Sequence, residues 1–315
     1  MPQTQTLRGM YIGGQWVQTA RRFADINPST GTLYAEAPDG ARPEARMAIE
    51  AAHAAFKGWA AMKYTQRAHL LHKAADIWER RAPDYIAAAQ AEGGGWVGKG
   101  AFEAHYVAEV FRSAAAACYH NLGEILPSEY GKFSTAVRYP MGVISVISPW
   151  NFQGILTARG FAFALAAGNT IVLKPSEDTP YSGGLYFAEI LHEAGFAPGV
   201  FNVITCAREN VGAMGDEMIE HPYVKGISFT GSTPVGRSIA AKAGAHLKKA
   251  CVELGGKDSL IILEDAEMER ATQAANFGSF MHQGQICMSV EKVLVQESIY
   301  PEFLARFAER AARLK

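Results

Sequence analysis

Five short segments combine residue types that do chemistry with turn residues that place them at a strand end. In Ser148-Pro149-Trp150-Asn151-Phe152, the Asn151 amide can donate N–H to a developing oxyanion; the same residues also read as an Asx-turn. In Val172-Leu173-Lys174-Pro175-Ser176-Glu177, Pro175 ends a strand and leaves Lys174 and Glu177 at the edge where a sheet binds ligands. An ammonium and a carboxylate there can hold ribose hydroxyls, or simply form an exposed pair. Phe229-Thr230-Gly231-Ser232-Thr233-Pro234-Val235-Gly236 runs from a strand through a turn into a helix start whose backbone N–H groups can accept a pyrophosphate. It is not G-x-G-x-x-G, and an ordinary capped helix start fits it equally well. Glu253-Leu254-Gly255-Gly256-Lys257 sets a carboxylate beside two glycines, the setting of a general base with room to move, or of a surface Glu before a turn. Gly284-Gln285-Ile286-Cys287-Met288-Ser289 offers a thiol nucleophile, although a lone Cys is more often inert packing.

The elements that must position these segments follow from the hydrophobic period. Helical patterns cover Pro43–Met62, Thr65–Arg81 with Thr65 as the N-cap, Asp84–Glu92 and Ala101–His120. An exposed strand or hairpin follows at Gly131–Tyr139. Beyond it, strands at Val143–Ser148, Thr170–Lys174, Val200–Thr205, Lys225–Thr230, Cys251–Leu254 and Leu260–Leu263 are expected. Helices at Ile155–Ala167, Gly183–Ala194, Asn210–Glu220, Val235–Ala243, Met268–His282 and Tyr300–Leu314 are interleaved with them. This alternation predicts an α/β fold with a parallel sheet covered on both faces, which binds ligands at the carboxyl ends of its strands.

Composition narrows the function classes. The 315 residues carry 30 Lys and Arg against 31 Asp and Glu, a formal charge of −1, which gives no general attraction for nucleic acid. No apolar run is long enough for a bilayer span, and no signal peptide is visible. The four cysteines, at 118, 206, 251 and 287, form neither a disulfide scaffold nor a metal cluster and read as reduced, cytoplasmic thiols. No metal site is expected: His69 and His72 lack further ligands and read as a solvated or half-buried helix face. Gly93–Gly100 imitates a P-loop, but Gly100 stands where a Mg²⁺-binding hydroxyl is needed, so a flexible loop between helices is expected. Cys118 and Cys251 read as small core hydrophobes.

Together, the ordered motifs PWN, LKPSE, FTGST, ELGGK and GQIC resemble the aldehyde dehydrogenase superfamily, from about Tyr11 to the end of the sequence. The resemblance implies Cys287 as the thiolate nucleophile, Asn151 with the Cys287 backbone N–H as the oxyanion hole, and Glu253 as the base for the deacylating water. It also implies that Lys174 and Glu177 hold the adenosine ribose, with Ser176 beside them. Gly231 and Ser232 then meet the pyrophosphate, and Ile147, Trp150 and Leu254 line the cofactor site. The implied fold has a Rossmann-like dinucleotide-binding domain with N-terminal helices (1–121 and 141–254), an oligomerisation hairpin (122–140) and the start of a second α/β catalytic domain (255–315). A homodimer or homotetramer is the implied assembly.

Glu253 argues against acyl-CoA formation, and Glu177 argues for NAD over NADP, since a carboxylate repels a 2′-phosphate. Residues His282–Ser289 resemble the bacterial benzaldehyde, vanillin and salicylaldehyde dehydrogenase branch, so an aromatic aldehyde is the expected substrate, with Phe152, Phe161, Phe280 and Met288 as candidate pocket residues or core. Two departures stand out. Gln153 replaces the family's usual Pro after PWNF, and Thr205-Cys206-Ala207-Arg208 replaces a glycine-bearing turn, which brings Arg208 toward the adenosine end and favours NADP. The sequence stops at Lys315, before a second nicotinamide-ribose carboxylate and a C-terminal strand that family members carry. It therefore reads as a piece of a longer protein, with a non-catalytic nucleotide- or partner-binding role as the alternative to turnover.

Overall fold

A computed structural model describes residues 5–120 and 122–314. The chain separates into two compact units, Met1–Glu253 and Leu254–Lys315.

The first unit opens with strands β1 (Gln5–Thr6), β2 (Met10–Ile12), β3 (Gln15–Val17), β4 (Arg22–Asn27) and β5 (Thr32–Pro38). Helices α1 (Arg42–Ala61), α2 (Tyr64–Arg80), α3 (Ala82–Gly93) and α4 (Val97–Ala117) follow, then the antiparallel pair β6 (Gly123–Leu126) and β7 (Ser134–Val137). The remainder alternates as β8 (Val143–Ile147), α5 (Gln153–Ala166), β9 (Thr170–Lys174), α6 (Tyr186–Ala194), β10 (Phe201–Val203), α7 (Val211–Glu220), β11 (Val224–Thr230), α8 (Thr233–Ala245) and β12 (Lys249–Glu253). The main sheet has the order β12-β11-β8-β9-β10-β2-β3. It is parallel from β12 to β10 and antiparallel where the β2–β3 hairpin closes its far edge.

Continuous apolar runs explain the inner strands: all of β9 is buried, as is β8 up to its last residue. Helices α1, α7 and α8 pack on the sheet as one layer; α5 and α6 form another, backed by α2, α3 and α4. Between α2, α4, α5 and α6 lies an aromatic core. Trp78 stacks on Phe187 at 4.8 Å, and Phe161 meets Phe201 at 4.8 Å. The buried indole N–H groups of Trp59 and Trp78 donate to the carbonyls of Leu165 (3.1 Å) and Ala104 (2.9 Å), so no polar cost is left in the core. Phe161 is fully buried there and belongs to the core rather than to a substrate pocket.

Other expectations are corrected. Helix α2 starts one residue before Thr65: the Lys63 carbonyl accepts from the Gln66 and Arg67 N–H groups, with no side-chain cap. The P-loop look-alike is no flexible loop. Gly94 is the left-handed C-cap of α3, and Lys99 lies in the first turn of α4, where it is buried. Cys118 is buried as expected, but Cys251 is exposed, because β12 is an outer strand of the sheet. His69 and His72 lie on the exposed face of α2.

The second unit pairs β13 (Asp258–Ile262) in parallel with β14 (Val290–Val295), connected through α9 (Met268–Phe280) and followed by α10 (Tyr300–Ala312). Its small core joins Ile262, Ala275 and Phe303, and Phe307 stacks on Phe303 at 5.6 Å. Among the described residues, no helix is long and apolar enough to cross a membrane.

Candidate active site

The expected site residues of the first unit converge on the carboxyl ends of four adjacent strands. Ile147 ends β8 in register with Lys174 of β9 on one side and Phe229 of β11 on the other, and Thr230 pairs with Glu253 at the end of β12. Two bonds tie these ends together: Ser148 N–H donates to the Lys174 carbonyl (3.2 Å), and Gly231 N–H donates to the Glu253 carbonyl (3.0 Å). Chain order reverses between β8 and β11, so the crevice there is the ligand position of a doubly wound sheet.

A cavity of about 340 Å³ opens at this edge, lined by Ile147, Lys174, Gly212, Gly215, Phe229 and Val235 among others. A side chain built on Gly212 or Gly215 would meet no atom within 4 Å, so the glycines of α7 hold the space open. An ion pair between Asp216 and Lys242, both lining residues, adds the polar element. Apolar walls and a few convergent polar groups suit the adenosine end of a dinucleotide.

Lys174 is buried, and its Nζ lies 3.5 Å from Glu177 Oε2. Burial alone would raise the Glu177 carboxyl, but Lys174, its backbone partner and Arg208 together hold it below the usual carboxylate range. Ser176 is buried; its hydroxyl accepts from the Asp178 N–H (3.3 Å) and closes the local turn rather than lining the cavity. Ser232 is the N-cap residue of α8, extended at φ −73° and ψ 147°, and makes no side-chain capping bond. Glu253 Oε2 is buried without a hydrogen-bond partner among the described residues, which leaves a carboxylate oxygen available for chemistry.

Asn151 is half-buried in the turn between β8 and α5, next to the partly exposed Trp150. Behind that turn lies a polar network that sequence reasoning missed. Glu103 of α4 accepts from the Gly154 (2.9 Å) and Ile155 (3.3 Å) backbone N–H groups, which caps the start of α5. Lys99 Nζ lies 2.8 Å from Glu103 Oε2, donates to Gln153 Oε1 at 2.6 Å and stands 5.0 Å from the centre of the Phe152 ring. Gln153 in turn donates to the Ala89 carbonyl and the Ser182 hydroxyl, each at 3.3 Å. The only signal was a Lys and a Glu four apart on a helix, which reads as a solvated pair until the helix is known to be buried.

In the second unit, Cys287 follows a backbone anomaly. His282 (φ 49°), Gln283 (φ 55°) and Gly284 (φ 74°) are consecutively left-handed, a conformation that non-glycine residues adopt at some cost. Ser289 fixes the loop: its N–H donates to the Ile286 carbonyl (3.1 Å) and its hydroxyl to the Gly284 carbonyl (2.9 Å). Cys287 is half-buried, whereas Met288 is largely exposed. Leu254 begins this unit and is half-buried. Among the described residues, no group of three or more His, Cys, Asp or Glu is placed to hold a metal ion.

The family model described as the aldehyde dehydrogenase family matches residues 16–315. The chain belongs to that family. It is 40% identical over 307 residues to a vanillin dehydrogenase of Amycolatopsis, covering 97% of this chain and 62% of that protein. Its fold superposes with a TM-score of 0.96 on a salicylaldehyde dehydrogenase from Pseudomonas putida G7 in complex with salicylaldehyde, at 37% identity over 99% of this chain and 64% of the other. An NAD-dependent benzaldehyde dehydrogenase from Corynebacterium glutamicum superposes at 0.91, with 37% identity over 98% of this chain and 68% of the other. The chain thus spans just under two-thirds of the length of the first two of these aldehyde dehydrogenases. Against the usual family pattern, Gln153 stands in place of Pro, and the structure shows that place filled by a ligand of buried Lys99.

Proposed function

We propose that this chain carries the dinucleotide-binding part and the nucleophile loop of an NAD(P)-dependent aldehyde dehydrogenase that oxidises an aromatic aldehyde to its carboxylic acid. The observation that carries the reading is the convergence of Ile147, Asn151, Lys174, Glu177, Gly231 and Glu253 at adjacent strand ends around one cavity. The substrate class is supported by the vanillin and salicylaldehyde dehydrogenases that the chain resembles.

Cys287 acts as the nucleophile: its thiolate adds to the aldehyde carbon and gives a thiohemiacetal oxyanion. The Asn151 side-chain N–H and the Cys287 backbone N–H donate to that oxyanion, a type of contact worth roughly 2.7–4 kcal/mol per donor. The bound nicotinamide supplies the hydride acceptor. Loss of hydride leaves a thioester on Cys287. Glu253 takes a proton from water, and the resulting hydroxide releases the acid; a positioned base of this kind gives roughly 10²–10⁴-fold. Lys174 and Glu177 hold the adenosine ribose, with Ser176 supporting their turn. Gly231 and Ser232 offer backbone N–H groups to the pyrophosphate, and Ile147, Trp150 and Leu254 contribute apolar surface to the cofactor.

In this reading, residues 1–121 and 141–254 form the dinucleotide-binding domain, and 255–315 begin the catalytic domain. The 122–140 hairpin joins copies into a dimer or tetramer, which the exposed Ile125 and Val137 support. Four unbridged cysteines support a cytoplasmic setting. The test is nicotinamide reduction by the 315-residue chain with benzaldehyde, beside Cys287→Ala. Turnover that disappears in the variant is expected; equal turnover in both would overturn the mechanism. Nucleotide binding without turnover in either would favour the non-catalytic alternative, which the partial span relative to family members motivates.

A further inference from the structure

Arg208 stands at the adenosine end of the proposed cofactor cleft, and the mechanism above gives it no task. It opens a single turn of tight helix, Arg208–Asn210, directly before α7, the helix whose glycines line the cavity. Its backbone is anchored on both sides. Asp39 accepts from the Ala207 N–H (2.9 Å) and from the Asn210 side chain (3.0 Å), and the Thr205 carbonyl accepts from the Gly40 N–H (2.9 Å). The side chain is the opposite: 79% exposed, held through Nε at 3.1 Å from Glu177 Oε1. The other Glu177 oxygen faces Lys174 at 3.5 Å. The carboxylate expected to read the ribose is therefore flanked by two cations, one buried and fixed, the other on a rigid base with a free-swinging head.

We propose that Arg208 is a cofactor-selectivity residue: it pairs with Glu177 when the adenosine ribose carries a 2′-hydroxyl and turns its guanidinium onto a 2′-phosphate when one is present, so that this chain accepts both NAD and NADP. Glu177 alone would admit the hydroxyl and repel the phosphate. A guanidinium at ion-pair distance cancels that repulsion, and its planar fork fits a phosphate through two parallel N–H bonds. Asp178 and Glu209 are the nearest further acids. Asp178 is tied to Ser176 in its own turn, and Glu209 follows Arg208 along the chain.

The inference rests on reading the cavity as the adenosine site, so the test uses ligands that need neither nicotinamide nor aldehyde. The 315-residue chain is titrated calorimetrically with 5′-AMP and with 2′,5′-ADP. The unmodified chain is expected to bind the two within about tenfold of each other. Arg208→Ala should weaken 2′,5′-ADP by about tenfold or more, the size of one charge-assisted hydrogen bond, while shifting 5′-AMP less than about twofold. Arg208→Lys should restore part of the loss, and Glu177→Gln should tighten 2′,5′-ADP. If 5′-AMP binds and the ratio is unchanged in Arg208→Ala, or if the unmodified chain rejects 2′,5′-ADP, the selectivity role falls while the cleft stands. If neither ligand binds, the reading of the cleft falls, and this inference with it.

Discussion

Lys99→Met tests whether a buried charge network, rather than the turn sequence alone, holds the Asn151 turn. Both partners are inaccessible, with side-chain exposures of 1% for Lys99 and 0% for Glu103. Burial pulls the Lys99 ammonium below its usual range even against the attraction of Glu103, so desolvation is not fully offset by the pair. Removing one partner is then costly because the other charge stays behind; the usual loss is about 3–5 kcal/mol. Glu103 keeps two backbone donors, from Gly154 and Ile155, which places the expected loss near the lower end, about 3 kcal/mol. With a urea slope of about 3 kcal/mol/M, the midpoint should fall by roughly 1 M. All five tryptophans precede residue 151, so indole fluorescence follows the first unit alone. Lys99→Met combined with Glu103→Gln removes the stranded charge but keeps an acceptor for the Gly154 N–H, and should recover about half of the loss. A midpoint shift below about 0.3 M in Lys99→Met, or a further loss on adding Glu103→Gln, would refute the reasoning.

Three other outcomes follow from the same geometry. Gln153→Met takes one acceptor from Lys99 and should cost about 1–3 kcal/mol in the same urea assay; simple additivity with Lys99→Met in a double-mutant cycle would show that the two side chains do not act as a unit. Gly215→Leu should leave thermal stability unchanged or raised, because leucine favours a helix over glycine by about 1 kcal/mol. The new side chain enters the cavity, so 5′-AMP binding should drop at least about tenfold, and retained binding would relocate the ligand. Because the folded-state carboxyl of Glu177 lies below its unfolded value, its stabilising contribution is fully present above a pH of about 4.3 and is lost as pH falls through the lower folded value. The stability difference between the unmodified chain and Glu177→Gln should follow that course across a pH series, and a difference constant down to a pH of about 2 would contradict it.

The second half of the first unit was legible because its strands are buried on both faces. A strand such as Thr170–Lys174 has no solvent side, so its apolar run is continuous, and Pro175 marks its end. The chemistry sits at such strand ends, which is why segments defined by turn residues also located the site. The strands before Arg42 escaped because they are mostly half-exposed: β4 and β5 mix Arg, Asp, Glu and Thr with single buried alanines. One signal there went unused. Gly13 and Gly14, at φ 60° and 84°, are the two-residue turn of the β2–β3 hairpin, a Gly-Gly pair between short apolar runs. Strand β14 was hidden by its charges: Glu291 and Lys292 are exposed, and its buried side is incomplete among the described residues.

The least legible feature was the placement of charge, because identical letters serve opposite environments. Lys174 and Glu177 are three apart, and Lys99 and Glu103 four apart; both read as surface pairs worth little. The structure separates them by what surrounds each pair. The first opens onto a cavity and has Arg208 as a solvent-side competitor for its carboxylate, so its electrostatics remain adjustable by a ligand. The second is sealed beneath α5 by Tyr85, whose hydroxyl lies 2.2 Å from where a side chain on Gly154 would begin, so only glycine fits and the cap geometry is locked. Burial thus turns one pair into a scaffold and partial exposure leaves the other as a reader of ligands. An Arg208 substitution should therefore alter which nucleotide binds, and a Lys99 substitution should alter whether the turn carrying Asn151 holds its shape.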